Sequence, residues 1–269
     1  MSLRIQTNVD AFRAYRNLDH NSTQVSKSIE KLSSGFRINR AADDAAGLAI
    51  SERLKSQVNG LDQANRNVSD AVSMVQTAEG ALDQVHAILQ RVRELAVKYA
   101  NDTLSASDKA AITAETTALS AEVARVASDT EFNGIKLLDG TGGAKTFQVG
   151  AQDGQTISVS LGDLTADVLG STFDIALNAG SALASIDAAI QNVSNRRAGF
   201  GAVQNRLEYT AAQLGIYQEN LSEALSRVRD TDMASEMVKY TKLQILQQAG
   251  TAMLAQANTA PQSVLQLLK

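Results

Sequence analysis

The feature that most constrains this chain is an unbroken heptad pattern of apolar and small residues between Leu61 and Tyr99. A 3-4 alternation of this kind, with no proline to interrupt it, predicts the seam of a coiled coil. The helical pattern extends back to about Ala46, so the predicted helix has roughly 55 residues and a length of about 80 Å. The two interleaved sets are Leu61, Val68, Val75, Leu82, Leu89 and Ala96, and Ala64, Ala71, Ala78, Val85, Val92 and Tyr99.

The composition favours long bundled helices over a wide globular core. The 269 residues include one proline, no tryptophan and 4% aromatic residues, so bulky rings to fill a large core are scarce. A formal net charge of −4 with no basic block gives no electrostatic support for binding nucleic acid. The absence of cysteine excludes disulfides and thiolate chemistry. Glutamines interrupt the one long uncharged stretch, near the C-terminus, so no membrane span is predicted.

Shorter elements flank the long helix. An amphipathic helix precedes it and ends at Gly35, a residue type typical of helix C-caps. A third helix is predicted after the N-cap candidates Ser105 and Ser107, antiparallel to the long helix because the connecting loop is short. Two strands, at 145–149 and 156–161, form a hairpin, which is the only β-structure that the pattern predicts.

A second long helix begins at Ala182 and ends before the interruption at 229–232. Thr231 or Asp232 caps a last helix that is predicted to run to about Pro261. The second long helix carries its own heptad seam, made of Val193, Phe200, Val203, Leu207, Thr210, Leu214, Tyr217, Leu221, Ala224 and Val228.

Both terminal segments carry apolar stripes that neither segment can bury alone. The simplest prediction is that the two termini pair with each other and then pack against other copies of the chain. The candidate polymerisation residues are Ile5, Val9, Phe12, Val25, Ile29, Leu32, Met237, Leu246, Val264, Leu265, Leu267 and Leu268.

The sequence offers no constellation for catalysis or metal binding. Asp43 and Asp44 are adjacent carboxylates, but they precede the long helix, where negative charge favours the positive end of the helix dipole. His20 and His86 are the only histidines, which is too few ligands for a zinc site in a chain without cysteine. We therefore predict no enzyme activity, no cofactor and no metal.

Many collinear blocks of this sequence resemble those of bacterial flagellins. The resemblance covers about 1–162 and 182–269, and Phe36 and Lys269 differ from the commonest family residues. The N-terminal blocks include Ile-Glu-Lys-Leu-Ser-Ser-Gly-Phe-Arg-Ile-Asn at 29–39, and the C-terminal ones include Ile-Leu-Gln-Gln-Ala-Gly at 245–250. The other matching blocks are 43–47, 76–82, 89–96, 132–134, 201–206, 255–258 and 261–265.

This resemblance implies a mainly α fold: a long coiled-coil bundle with a small β-hairpin and with the N- and C-terminal helices paired. The implied inner coiled coil, made by both termini, comprises 1–36 and 234–269, and the implied linkers are 37–46 and 229–233. The implied long-helix bundle comprises 47–139 and 182–228. The remaining range, 140–181, is an insert too short for a substantial outer domain.

The resemblance also implies a function. The chain would be the structural subunit that polymerises into the extracellular flagellar filament for motility. Its implied partners are other copies of itself, an export chaperone, the flagellar type III export apparatus, and hook-associated and cap proteins. The N-terminus lacks the pattern of a cleaved secretory signal. A hook–filament junction protein of the same apparatus remains the alternative.

One segment of the long helix matches the site that an animal Toll-like receptor recognises in flagellins. By position, the implied receptor contacts are Arg91, Leu95 and Glu115. Because Leu95 precedes the seam residue Ala96, we predict that its side chain is exposed or half-exposed. The alternative, from the residues alone, is an ordinary solvated helix face stabilised by pairs such as Glu94 with Lys98.

Overall fold

The computed structural model describes residues 7–164, 168 and 179–267, with the side chains of 179–181 and 260–267 excepted. Within this part, five helices and two antiparallel strand pairs follow one another, and the mainly α prediction is confirmed. The helices are α1 (Val9–Ser34), α2 (Ala45–Tyr99), α3 (Ala106–Asp129), α4 (Ala179–Arg229) and α5 (Met233–Leu267). The strands are β1 (Glu131–Phe132), β2 (Ile135–Lys136), β3 (Ala144–Gln148) and β4 (Thr156–Ser160).

The chain divides into two compact units. Unit 1 comprises Met1–Ser56 and Asn220–Lys269, and unit 2 comprises Gln57–Glu219. These bounds follow the packing of the backbone. The finer division into inner coiled coil, linkers, bundle and insert stays a proposal.

The core of unit 2 is built on the predicted seam of α2. Eleven of the twelve seam residues are at most 2% exposed, and Tyr99 is half-buried. At one end of the unit, Val92 and Ala96 pack with Ile186 of α4 and Leu119 of α3. Three helices therefore share one core, and the frequent alanines of the seam allow their backbones to approach closely.

The seam of α4 is confirmed at four positions spaced seven residues apart. Val193, Phe200, Leu207 and Leu214 are all buried. Tyr217 was predicted on the same seam but is exposed, because it lies beyond Leu214, the last buried side chain of α4 in the described chain. Two ion pairs from Arg197, to Glu79 and Asp83, join α4 to α2.

Both β-hairpins belong to unit 2. Strands β3 and β4 pair in antiparallel register from Ala144–Ser160 to Gln148–Thr156, within one residue of the predicted ends. The amide of Asn67 donates to the carbonyl of Gln148 at 3.0 Å and ties this hairpin to α2.

The pair β1–β2 was missed, so the prediction of a single β element was wrong. Its turn residues Asn133 and Gly134 both have positive φ, 50° and 75°, which is the requirement of the tight hairpin turn that Asn-Gly favours.

Helix ends follow the predicted chemistry at two points and depart from it at a third. Ser105 and Asp108 form a capping box at the start of α3, and hydrogen bonds from Ser105 lower the pKa of the Asp108 carboxyl. At the start of α2, the Asp44 carboxylate accepts from the amide of Gly47 at 2.8 Å. Helix α5 continues past Pro261 to Leu267, although a proline inside a helix removes one backbone hydrogen bond.

Candidate assembly and recognition surfaces

Helices α1 and α5 form an antiparallel pair in unit 1, as predicted for the terminal segments. Three polar contacts run along the pair. The hydroxyl of Ser28 donates to Glu236 Oε1 at 2.5 Å, and the amide of Asn21 donates to the carbonyl of Leu243 at 2.9 Å. Asn8 caps α1 through its Oδ1 and donates from Nδ2 to the carbonyl of Ala257 at 2.8 Å. Each contact satisfies a polar group that the pairing removes from water.

The rest of this interface is small and incompletely buried. The face of α5 that packs on α1 is half-buried at best, at positions 236, 240, 243, 247, 250, 254 and 257. A Cβ added at Gly250 would lie 3.2 Å from Leu18 Cδ1, so the helices approach closely here. Ile38 is the one apolar residue of unit 1 that is fully buried among the described residues.

The opposite side of α5 is an uncovered apolar surface, which we call the α5 outer face. Part of it is a shallow groove of about 490 Å³ in which Thr241 and Lys242 are the polar lining residues. The α5 outer face consists of Met237, Val238, Ile245, Leu246 and Met253, all of them exposed.

The predicted polymerisation residues fall into three groups. Val9, Phe12, Ile29, Met237 and Leu246 are exposed, whereas Val25 and Leu32 are half-buried in unit 1. Ile5 and Leu268 lie outside the described residues, as do the side chains of Val264, Leu265 and Leu267.

Sequence reasoning missed three members of the α5 outer face, Val238, Ile245 and Met253. The spacing of seven residues between Val238 and Ile245 is a readable signal, because it places both on one side of a helix. That stripe is out of phase with the half-buried positions 236, 243 and 250, so it marks a second apolar side of α5.

The segments that follow α1 and α4 are clasped together. Gly35 ends α1 with a left-handed φ of 73°, and Phe36 and Asp230 form an antiparallel bridge. The amide of Arg37 donates to the carbonyl of Arg229 at 2.7 Å. The Arg229 guanidinium lies 4.5 Å from the centre of the Phe36 ring and pairs with Glu52 at 2.8 Å. One residue thus combines a cation–π contact with an ion pair.

Arg91 and Glu115, which the sequence predicted as receptor contacts, lie together on α2 and α3 of unit 2. Arg91 Nη2 and Nε donate to Glu115 Oε1 at 2.9 and 3.1 Å, and Nη1 donates to Glu94 at 3.2 Å. These carboxylates raise the pKa of Arg91, and the pair is accessible from solvent. A groove of about 570 Å³ beside it is lined by Leu95, Lys98, Leu104, Asp108, Ala111 and Ile112 together with the charged residues.

The prediction that Leu95 is exposed was wrong. Its side chain is 3% exposed and lies at the bottom of the groove with Leu104 and Ile112. Counting from a single seam gives the wrong answer here because α2 packs on both α3 and α4. The buried surface of α2 is therefore wider than a two-helix seam requires.

Two other kinds of site are absent from the described ranges. No group of three or more histidine, aspartate or glutamate side chains there is placed to hold a metal ion. No helix of the described chain combines the length and apolarity needed to cross a membrane.

Paired terminal helices, an uncovered apolar side and a bundle with its own core are typical of self-associating helical structural proteins. Similarity to known sequences identifies the family within this class. The family model for the bacterial flagellin N-terminal helical region matches residues 5–142, and that for the C-terminal helical region matches 183–268. The chain belongs to the bacterial flagellin family, a family of structural proteins of the flagellar filament.

Relatives and structural neighbours agree with this assignment. The chain is 50% identical to a flagellin of Halalkalibacterium halodurans, over 98% of this chain and 99% of the relative. It is 46% identical to a flagellin of Bacillus subtilis, over 99% and 100% of the two chains. The crystal structure of Bacillus cereus flagellin superposes with a TM-score of 0.53 at 31% identity, over 55% of this chain and 88% of that one.

A second structural neighbour shows similarity of fold alone. It is a putative flagellar hook-associated protein from Vibrio parahaemolyticus, with a TM-score of 0.60 at 14% identity, covering 70% of this chain and 100% of that one.

Proposed function

We propose that this chain is the repeating subunit of an extracellular flagellar filament and that the α5 outer face is a contact between copies. The observation that carries the proposal is the apolar surface of unit 1. Six large apolar side chains on α5 and four on α1, Val9, Phe12, Tyr15 and Ile29, remain exposed after the helices have paired.

Burial of this surface offers a substantial driving force. Covering one large apolar side chain contributes roughly 1.5–3 kcal/mol at most, and a polymer repeats that contribution at every subunit. An uncovered face of this kind is unusual for a monomer. A second copy is the occupant that the family assignment favours.

Seeded polymerisation tests the proposal. Replacing both Ile245 and Leu246 with serine should abolish elongation of seeds, because the contact between copies would then contain two polar hydroxyls in place of apolar side chains. The two side chains are exposed in the monomer, so the circular dichroism and thermal unfolding should hardly change. Ile245→Val with Leu246→Met is the matched control, since it keeps the face apolar, and it should elongate seeds normally. Normal elongation by the serine variant would contradict the proposal.

The tail should matter as well. Truncation after Ala255 removes Val264, Leu265, Leu267 and Leu268, and we expect it to prevent polymerisation while unit 2 stays folded. A truncated protein that elongates seeds at the normal rate would show that the tail is dispensable.

The remaining alternative is a hook–filament junction protein. The sequence relatives described above are named flagellins, and the hook-associated neighbour shares only the fold, so the filament subunit is the better proposal. Negative-stain microscopy after seeding separates the two. Long uniform filaments support a filament subunit, whereas short caps or no assembly support a junction protein.

Export and handling before assembly follow from the same proposal. We expect the chain to leave the cell through the flagellar type III export apparatus and an export chaperone to hold its C-terminal helix. Such a chaperone would cover the α5 outer face until assembly. In the finished flagellum, hook-associated and cap proteins would adjoin the two ends of the polymer.

A second proposed function is recognition by an animal Toll-like receptor through Arg91 and Glu115. The observation that favours it is the accessible ion pair on a rigid helical surface, because a preorganised arginine is typical of binding hot spots. Leu95 has a supporting part in this proposal, since it is buried and lines the groove beside the ion pair.

Receptor activation by the monomer tests this second proposal. Arg91→Ala should reduce activation by at least about tenfold, equivalent to 1.4 kcal/mol, with an unchanged helical spectrum. Arg91→Lys is the control for charge, and Arg125→Ala is the control for loss of an exposed arginine on α3, where Arg125 pairs with Glu122. Full activity of Arg91→Ala would remove the receptor proposal and leave the filament proposal intact.

A further inference from the structure

The sulfur atoms of this chain are distributed unevenly over its surface. The sequence has five methionines and no cysteine. Met74 is 2% exposed in the core of unit 2, whereas Met237 and Met253 are 49% and 64% exposed and Met233 is exposed to a similar degree. Met1 lies outside the described residues. In the described chain, the accessible thioethers are therefore all on α5.

Two of these thioethers belong to the α5 outer face. Met237 lines the apolar groove with Val238 and Ile245. Met253 follows Leu246 by seven residues and so lies on the same side of the helix. The hydroxyl that lines the groove, that of Thr241, already donates to the carbonyl of Met237 at 2.9 Å, so a new acceptor on residue 237 would compete for an occupied donor there. The other donor in the groove, Lys242, is exposed to water.

We propose that Met237 and Met253 are two oxidation sites at which a peroxide switches off self-association of the chain. The inference rests on the proposed filament function, because its effect is exerted on the contact between copies. Hydrogen peroxide transfers one oxygen atom to the thioether. The O–O bond breaks, an S–O bond forms, the sulfur loses two electrons, and water leaves.

The product changes the chemistry of the contact. A sulfoxide is strongly polar and chiral, whereas the thioether is apolar and adaptable. Burying a polar group without a hydrogen-bond partner is unfavourable, so a copy that carries the sulfoxide binds its neighbour less well. Once copies have assembled, the same contact covers the thioethers, so the filament resists oxidation that the monomer does not.

The experiment begins with monomer treated with hydrogen peroxide, with the sulfoxides located by mass spectrometry. We expect oxidation at Met237 and Met253 with Met74 spared, and at least a tenfold slower elongation of untreated seeds. A variant with leucine at 233, 237 and 253 should elongate at the same rate before and after treatment. Met74→Leu is the matched control and should remain as sensitive as the unaltered chain.

Several outcomes decide the matter. Normal elongation by protein whose sulfoxides at 237 and 253 have been verified would overturn the inference, as would an equal loss of elongation in the triple leucine variant. If that variant fails to elongate even untreated, repair of the oxidised unaltered chain by methionine sulfoxide reductases with a thiol reductant decides instead. Recovery supports the switch, and no recovery overturns it. Failure of the untreated, unaltered chain to elongate seeds would overturn the proposed filament function itself.

Discussion

Units 1 and 2 are both built from helices with heptad-like apolar stripes, yet they bury those stripes very differently. In unit 2, the stripes of α2 and α4 are buried, from Leu61 to Ala96 on α2 and from Ala182 to Leu214 on α4. In unit 1, α1 and α5 pair mainly through half-buried side chains and three polar contacts, and a second apolar side of α5 has no cover.

The difference shows that heptad spacing alone does not determine how well a helix is buried. Three helices enclose the core of unit 2, so the seam of α2 is covered on more than one side. Two helices make most of unit 1, and two helices alone leave much of their surface exposed to water. Unit 2 is therefore expected to be stable by itself, whereas unit 1 gains its stability from assembly.

Hydrogen exchange should give the largest contrast between the units. Opening free energies range from about zero in weakly packed segments to the global value in a core. In the free monomer, we expect amides of 61–96 to exchange at least about a thousandfold more slowly than those of 5–34 and 234–265. In assembled filaments, the terminal segments should become protected. Strong protection of those segments in the free monomer would contradict the comparison.

A pair of truncations to alanine tests the same contrast in free energy. Leu82 is fully buried in unit 2, and we expect Leu82→Ala to lower the free energy of unfolding by about 2–5 kcal/mol. Ile245→Ala on the exposed side of α5 is the matched control, with an expected change within about 0.5 kcal/mol. Urea unfolding of the monomer measures both. Equal losses would show that the two units are buried to a similar extent.

The capping box of α3 should give a smaller effect within unit 2. Ser105 Oγ accepts from the amide of Asp108 at 3.2 Å, and Ser105→Ala should cost about 0.5–2 kcal/mol. Hydrogen bonds from Ser105 also lower the pKa of the Asp108 carboxyl, so the carboxylate's share of this stabilisation is present above the ordinary pKa of aspartate and is lost as the pH falls through the lowered value. Thermal unfolding of both proteins against pH should show their difference shrinking in acid. A pH-independent difference would exclude the charged carboxylate as its source.

The clasp of unit 1 should give the smallest effect. Phe36→Leu removes the ring beneath the Arg229 guanidinium, and a partly exposed cation–π contact is worth about 0.5–1 kcal/mol. We expect faster exchange of the Arg37 amide, which donates across the clasp. Phe36→Tyr keeps an aromatic face and should exchange like the unaltered chain. Identical exchange in the leucine variant would mean that the bridge to Asp230 holds the clasp without the ring.

The sequence was most informative where one local period decides the outcome. The seam of α2 and the pairing of β3 with β4 follow from spacing and turn residues alone, and both were predicted closely. The burial of Leu95 was not predicted, because it depends on the packing of α3 against a second side of α2. The contact of Phe36 with Arg229 was equally hidden, because it joins residues almost two hundred positions apart and no periodic signal connects them.

The three polar contacts between α1 and α5 determine how the two helices are aligned along their length. Two helices held by an apolar seam alone can slide by a heptad at little cost, because each heptad presents a similar surface. Here a slide in one direction would place Glu236 opposite Gly35, which has no side chain to donate to its carboxylate. A slide in the other direction would part Leu243 from Asn21 and leave it opposite Ala14. The stagger of the two termini is therefore set to the residue, and deletion of a single residue between Glu236 and Leu243 should do more harm than most substitutions there.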